Sequence, residues 1–304
     1  MARFGIRVLV LALPAILLLA APALPQRVRV AVDKIPAQDR SVEVFGQKIQ
    51  YLEAGTEHAS VIILLHGLGG DANEWAANIG PLAQSYHVYA LDQVGFGRSD
   101  KPFLDYKIET FTDFLAGFMQ ELKISRATLV GNSLGGWIAA HFAHRYPGKV
   151  EKLVLVDAVG LKSGSKAWRE LAPRLNPASI ADMRRILNLV FYNHAILSDD
   201  FVRQAFESYV KSGDGYATQR ILAGIASQDQ WEDSKLSSVR VPTLIIWGRE
   251  DALARLALGR EFNKRMAGSQ MEVIPDCGHF PHIEKPARFN QVVLTFLSGG
   301  KAAQ

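Results

Sequence analysis

Ala127-Thr128-Leu129-Val130-Gly131-Asn132-Ser133-Leu134-Gly135-Gly136 is an apolar β-type run that breaks at Gly131 and passes into a helix-type run, Trp137-Ile138-Ala139-Ala140-His141-Phe142-Ala143. The join has the spacing Gly-x-Ser-x-Gly, which reads as a sharp strand-to-helix turn with Ser133 at its apex. A side chain pushed onto such a turn is crowded by strand and helix atoms, and glycine at positions 131 and 135 removes side chains where crowding is worst. The first turn of the following helix also aims free backbone N–H groups at charge developing near Ser133.

Outward from this turn the pattern repeats. Residues 41–45 and 48–52 flank Gly46-Gln47 as an antiparallel hairpin. Residues 61–65 form a wholly apolar strand, of the kind buried on both faces, that runs into His66-Gly67-Leu68-Gly69-Gly70. Residues 73–84 read as a helix interrupted by Gly80-Pro81, 87–91 as a strand, and 110–122 as an amphipathic helix with Phe111, Phe114, Leu115, Phe118 and Leu122 on one face. Residues 152–156 form a strand ending at Asp157. Residues 161–235 then hold only helical stretches, at 166–171, 180–191, 199–211 and 216–228. Alternation resumes with a strand at 243–247 that ends in Gly248-Arg249-Glu250-Asp251, a helix at 256–266, a strand at 271–274 leading to Cys277-Gly278-His279, and a closing helix at 286–297. Strands alternating with helices imply a mostly parallel sheet with helices on both faces. The expected organisation is a core of residues 41–160 and 236–298 with an inserted helical cap, 161–235.

Ligands in such sheets sit beyond the carboxyl ends of the strands, and Ser133, Asp251 and His279 each fall just there. A serine hydroxyl needs a base to take its proton, and the base needs a carboxylate to fix its tautomer and stabilise its cation. Ser133 is therefore the candidate nucleophile, His279 the base and then acid, and Asp251 the orienting carboxylate. The backbone N–H groups of Leu68 and Leu134 are the candidate oxyanion donors. Asp157, at the end of the neighbouring strand, competes with Asp251, and His282, three residues on along the same helical face, competes with His279. His66 reads as structural, beneath the oxyanion loop. His66, His279 and His282 lack a metal-binding spacing, so neither a metal nor a cofactor is expected. Cys277 reads as a small buried residue. The cap is rich in large apolar groups, among them Trp168, Phe191, Tyr192, Phe201, Tyr216 and Trp231, which suit an apolar acyl group or aromatic ring better than a sugar or phosphate.

A chain of 304 residues with 48% hydrophobic and 21% charged residues can bury a full-sized core. A net charge of +4, without a dense Lys/Arg tract, argues against nucleic acid as a partner. A single cysteine excludes an internal disulfide and a cysteine metal cluster. At the N-terminus, Arg3 and Arg7 precede an uncharged run, residues 8–24, that contains Ala21-Pro22-Ala23. Residues 1–24 read either as a secretory signal peptide or as a membrane anchor, which gives an exported or membrane-attached protein.

Taken together, His66-Gly67-Leu68-Gly69-Gly70 with Trp75 downstream, Asp92-Gln93-Val94-Gly95-Phe96-Gly97-Arg98-Ser99, Gly131-Asn132-Ser133-Leu134-Gly135-Gly136, Trp247-Gly248-Arg249-Glu250-Asp251 and Cys277-Gly278-His279 resemble the α/β-hydrolase fold superfamily over residues 41–298. The resemblance implies a serine hydrolase with the triad in the chain order serine, acid, histidine. Epoxide hydrolases and haloalkane dehalogenases carry aspartate where Ser133 stands. Two branches look similar. The monoacylglycerol-lipase-like branch shares the hydrophobic leader, the helical cap and Cys-Gly-His. The carbon–carbon bond hydrolases of aromatic-ring breakdown share Gly-Asn-Ser and Cys-Gly-His, but usually carry a cap arginine and a tryptophan after the base, where this chain has Phe280. The expectation is hydrolysis of a carboxylic ester with an apolar acyl or monoacylglycerol-like group. Carbon–carbon cleavage or cofactor-free haloperoxidase or perhydrolase chemistry are the alternatives, and a non-catalytic binding protein on the same fold is the alternative of another class.

Overall fold

The structure is a computed structural model that describes residues 37–162, 165–227 and 235–300. The leader expected at 1–24 and Trp231 of the cap lie outside the described residues. Among the described residues no helix is long and apolar enough to cross a membrane.

Eight strands form one sheet in the order β1-β2-β4-β3-β5-β6-β7-β8. β1 (Gln38–Val44) and β2 (Gln47–Ala54) form the expected hairpin, and β2 pairs antiparallel with β4 (His87–Leu91). All other neighbours are parallel: β4 with β3 (Val61–Leu65), then β5 (Ala127–Asn132), β6 (Val150–Val156), β7 (Thr243–Gly248) and β8 (Gln270–Ile274).

The period-two alternation of the strands divides the interior into two cores. Ile63, Leu65, Leu129, Leu153, Leu155 and Ile245 face α2 (Ile108–Glu121) and α3 (Leu134–Arg145), whose Phe111, Phe118, Ile138 and Phe142 pack with them. Ile62, Leu64, Val130, Val154, Leu244 and Ile246 face α1 (Ala76–Ala83) and the closing helix, Pro286–Leu297, through Ile79, Leu82, Phe289 and Val293. Each fully buried aliphatic side chain contributes about 1.5–3 kcal/mol by leaving water, so the central strands, apolar on both faces, are the rigid base of the molecule.

Between β6 and β7 the described chain is helical: α4 (Ser165–Leu171), α5 (Ile180–Val190), α6 (Asp199–Ser212) and α7 (Gly215–Ser227). Ser179 and Ser198 cap α5 and α6 by accepting from the N–H groups of Asp182 and Phe201, and Gly213, at φ +74°, ends α6.

Two local expectations are corrected. The helix at 73–84 is not interrupted at Gly80-Pro81: a short 3₁₀ turn (Ala72–Trp75) leads into α1, which runs through Pro81. Proline has no N–H for the carbonyl four residues back, Ala77, and Asn290 of the closing helix supplies the missing donor at 3.0 Å. Nor do His279 and His282 share a helical face. The short helix α9 (Pro281–Glu284), which follows α8 (Leu256–Arg265), begins after His279. The closing helix is α10.

Candidate active site

Ser133 stands at the apex of the β5–α3 turn with φ +52° and ψ −114°, a conformation that L-residues rarely adopt. Strain of this kind amounts to about 1–3 kcal/mol and persists only where the surroundings over-determine it. Here they do. The Ser133 N–H donates to Val156 O at 2.9 Å, and its carbonyl accepts from Trp137 and Val159. A Cβ on Gly131 would come within 2.2 Å of Gly135 O, and one on Gly135 within 2.2 Å of Leu65 O. The two glycines of the motif are thus required by backbone-to-backbone approach, as their spacing suggests. Leu134 is the first residue of α3, so its N–H lies at the helix N-terminus. The loop after β3 that carries Leu68 lies alongside: a Cβ on Gly67 would be 3.4 Å from Ser133 Cβ.

His279 and Asp251 are brought together from β8 and β7. His279 Nδ1 and Asp251 Oδ2 are 2.7 Å apart, and both side chains are buried. Asp251 Oδ1 accepts from the N–H groups of Leu253 and Ala254 at 2.8 and 2.9 Å, which fixes the carboxylate plane. The Asp251 carboxylate sets the tautomer of the imidazole. Nδ1 donates to Asp251, and Nε2 is buried without a hydrogen bond to the protein. The two loops are joined by Glu250, whose N–H donates to Cys277 O and whose Oε2 accepts from Cys277 N–H, each at 3.0 Å. Asn132, next to Ser133, donates its amide to His279 O at 3.0 Å and to Val156 O at 3.2 Å. The serine turn and the histidine loop are thereby locked to each other.

The competing residues have other partners. Asp157 makes no hydrogen bond to His279. Its Oδ1 accepts from Gly248 N–H at 3.0 Å, and burial, followed by the charge of Asp251, holds its carboxyl well above the usual carboxylate range. His282 is fully buried and stacked on Trp75 with ring centroids 4.2 Å apart, and burial pushes it down to about 3, so it stays neutral. His66 is held neutral by burial. Its Nδ1 lies 2.7 Å from Gly67 O, and its Nε2 accepts from Gln93 N–H at 3.0 Å, so the ring fixes the loop after β3. His66, His279 and His282 do not converge as a metal-ligand set among the described residues. Cys277 is buried, and burial raises its thiol far above the usual range, which leaves it unreactive.

Sequence reasoning missed two acids. Glu74, half-buried under the loop after β3, accepts from Gly67 N–H at 3.3 Å, and burial pushes its carboxyl up to about 8. Glu284 accepts three backbone N–H groups: Gly278 at 2.8 Å, and Tyr192 and Asn193 of the cap at 3.0 and 3.2 Å. With the His279 N–H donating to Val190 O at 2.7 Å, Glu284 ties the end of α5 to the histidine loop. No local pattern marks either glutamate, because their partners are backbone groups.

A sequence-family profile described as "alpha/beta hydrolase fold" matches residues 60–286. The chain belongs to the α/β-hydrolase fold family. Among curated members of this family, 2-hydroxy-6-oxo-2,4-heptadienoate hydrolase of Pseudomonas putida is 31% identical over 249 residues, covering 78% of this chain and 88% of the relative. 2-Hydroxymuconate semialdehyde hydrolase of a Pseudomonas species is 31% identical over 254 residues, covering 80% and 88%. Among solved structures, a bacterial membrane phospholipase A described as a virulence factor superposes with a TM-score of 0.79 at 30% identity, covering 87% of each chain. A meta-cleavage product hydrolase of Pseudomonas fluorescens gives 0.77 at 28% identity, covering 86% and 97%.

Proposed function

We propose that this α/β hydrolase cleaves a carboxylic ester with an apolar acyl group through an acyl-enzyme. The observation that carries the reading is the 2.7 Å His279–Asp251 pair, which leaves Nε2 as the free base in a molecule whose Ser133 tops a strained strand-to-helix turn. Nε2 takes the Ser133 proton as Oγ bonds to the carbonyl carbon. The oxyanion is held by the N–H groups of Leu134 and Leu68, each such donor lowering the barrier by about 3–4 kcal/mol. Nε2 then passes its proton to the leaving alkoxide, and water repeats the sequence to release the acid and restore Ser133.

Apolar surroundings support an apolar acyl group. Met183, Leu187, Val190 and Phe191 of the cap pack with Leu253, Phe280 and Ile283, and Phe280 stands against both Phe191 and His279 at centroid distances of 5.3 and 5.4 Å. A narrow crevice lined by Phe111, Leu134, Trp137, Ile221 and Ile225 opens beside Leu134, whereas a larger surface groove lined by Phe45, Leu104, Phe114 and Tyr146 includes none of the site residues.

A second reading, carbon–carbon bond hydrolysis of a dienoate ketone, is favoured by the two curated relatives named above, which back it better than they back ester cleavage. The cap speaks for the ester. Arg184 bonds Leu197 O and Asp199, Arg185 pairs with Asp182 and Arg220 with Asp105, while Arg169, Arg174 and Arg203 are exposed. Arg220 alone of these keeps a buried nitrogen, Nε, without a partner, and its guanidinium is held by Asp105. Attachment at the membrane through residues 8–24 also suits a lipid ester; the membrane phospholipase A is the structural relative that fits it.

The test is turnover of p-nitrophenyl esters from short to long chain beside a 2-hydroxy-6-oxo-2,4-dienoate, with Ser133→Ala as control. Serine-dependent turnover that rises with chain length supports the ester reading. Efficient cleavage of the dienoate with negligible ester turnover replaces it by the second reading, and full activity of the Ser133→Ala protein overturns both.

A further inference from the structure

The acid of the site does not stand alone. One side-chain atom each of Asp157, Asp251 and His279 lies within 4.8 Å of the other two, and all three residues are buried. The two carboxyl groups reach this point from adjacent parallel strands. Asp157 follows β6 and Asp251 follows β7, and Asp157 itself has φ +43° where its chain turns out of the sheet.

Their hydrogen bonds are unequal. Asp251 receives three donors: Leu253 N–H and Ala254 N–H on Oδ1, and His279 Nδ1–H on Oδ2. Asp157 receives one, Gly248 N–H on Oδ1, and its Oδ2 is buried without a donor. The other charged groups that bear on Asp157 are Asp251 and Glu284, both acidic; Cys277, beside them, stays a neutral thiol. Two buried carboxylates this close repel each other, and burial raises the cost of ionising both. The charge settles where the donors are, and the proton on the other group.

We propose that Asp157 is a neutral carboxylic acid that donates a hydrogen bond from Oδ2 to the Asp251 carboxylate and so positions and moderates the acid that holds His279. Resting on the triad reading above, it makes Asp157 a positioning residue. The shared proton keeps the net charge of the pair at minus one. Donation to Asp251 draws density from the oxygen that faces His279, which limits how strongly the carboxylate favours the imidazolium over the neutral base that Ser133 requires. Asparagine at position 157 reproduces this arrangement: its carbonyl accepts from Gly248 and its amide donates to Asp251.

The experiment uses the full chain and the rate at which a fluorophosphonate labels Ser133, measured against pH, a readout that needs no knowledge of the substrate. Asp157→Ala leaves Asp251 charged without its donor. Its acid limb is expected to move to higher pH by about half a unit or more, and labelling low on that limb to fall by about threefold for each half unit. Asp157→Asn is expected to restore the limb to within about 0.2 unit of wild type. A residue that only fills space would leave the acid limb of both variants where wild type has it. Were Asp157 ionised in the native protein, Asp157→Asn would remove a negative charge facing His279 and move the acid limb to lower pH; that result overturns the proposal. Identical pH profiles for the two variants overturn it as well. Should Asp157→Ala not fold, the position of the limb in Asp157→Asn decides alone. Ser133→Ala and Asp251→Ala run beside them: retained labelling in these would defeat the triad reading, whereas their loss together with a shifted Asp157→Asn limb defeats only the assignment of the proton.

Discussion

The strand ends that carry Ser133, Asp251 and His279 and the helices inserted above them are built differently. At the strand ends the loops are tied to one another by hydrogen bonds. β5 and β7 are buried at all six positions, and the loops that follow are joined by Glu250, Asn132 and Glu284. In the cap, α6 buries only Val202 of its fourteen residues, and Tyr192, Ile196 and Val210 stand exposed. The cap's inner helices are buried in the base, Trp168, Ile221, Leu222 and Ile225 in the core of α2 and α3, with further ties from the Val190 and Glu284 contacts to the histidine loop, Lys101 against Asp214 at 3.6 Å, and Phe103 stacked on Tyr216 at 4.5 Å. A rigid base fixes reacting atoms, where small displacements are costly. The outer helix α6, which buries one side chain, can vary the surface offered to substrate without moving them.

The sharpest way to break this contrast is at Ser133. Ser133→Ala is expected to lower kcat by about 10⁴-fold or more while leaving the thermal midpoint within a few degrees or raising it, because alanine has no hydroxyl to crowd the turn; steady-state kinetics and calorimetry on one preparation check both. Next comes the tie between the two regions. Glu284→Ala strands three backbone N–H groups and is expected to destabilise by about 2–3 kcal/mol and to lower kcat about tenfold, since Gly278 carries His279. If kcat held while stability fell, the cap would be a separate body that does not steer the histidine loop.

Glu74 gives a smaller effect that belongs to the base alone. Its carboxyl is raised from 4.5 to about 8, so between these values the folded protein holds a proton that the unfolded chain has released. Its contribution is fully present below about pH 4.5 and is lost as pH rises to 8. Glu74→Gln is expected to flatten this decline, with a higher thermal midpoint than wild type at pH 8 and little difference at pH 5. Smallest is Phe103→Ser at the cap's outer contact. Phe103 is 85% exposed, and its loss is expected to stay within about 0.5 kcal/mol, measured by urea unfolding; a larger change would show the cap to be as tightly bound as the base.

How much of this was legible in the chain follows from the range of the forces involved. Gly131, Ser133 and Gly135 could be read because their constraint is local: backbone atoms a few residues apart would collide with any side chain there. The strands were legible as short apolar runs alternating with helical stretches, and the cap as a block of helical stretches with no buried strand. The helix through Pro81 was misjudged because the donor that rescues it, Asn290, lies at the far end of the sequence. The same holds at the site. Sequence alone placed Ser133, Asp251 and His279 beyond strand ends, with Asp157 as a rival to Asp251. Only the tertiary structure gave Nδ1 of His279 to Asp251 and left Asp157 with Gly248, because the choice rests on the register of β6 against β7 and on the path of the Cys277-Gly278-His279 loop. Local sterics write themselves into short motifs. The distribution of a proton between two buried carboxyl groups depends on distance, burial and donors drawn from separate strands, and exists only once the sheet has closed.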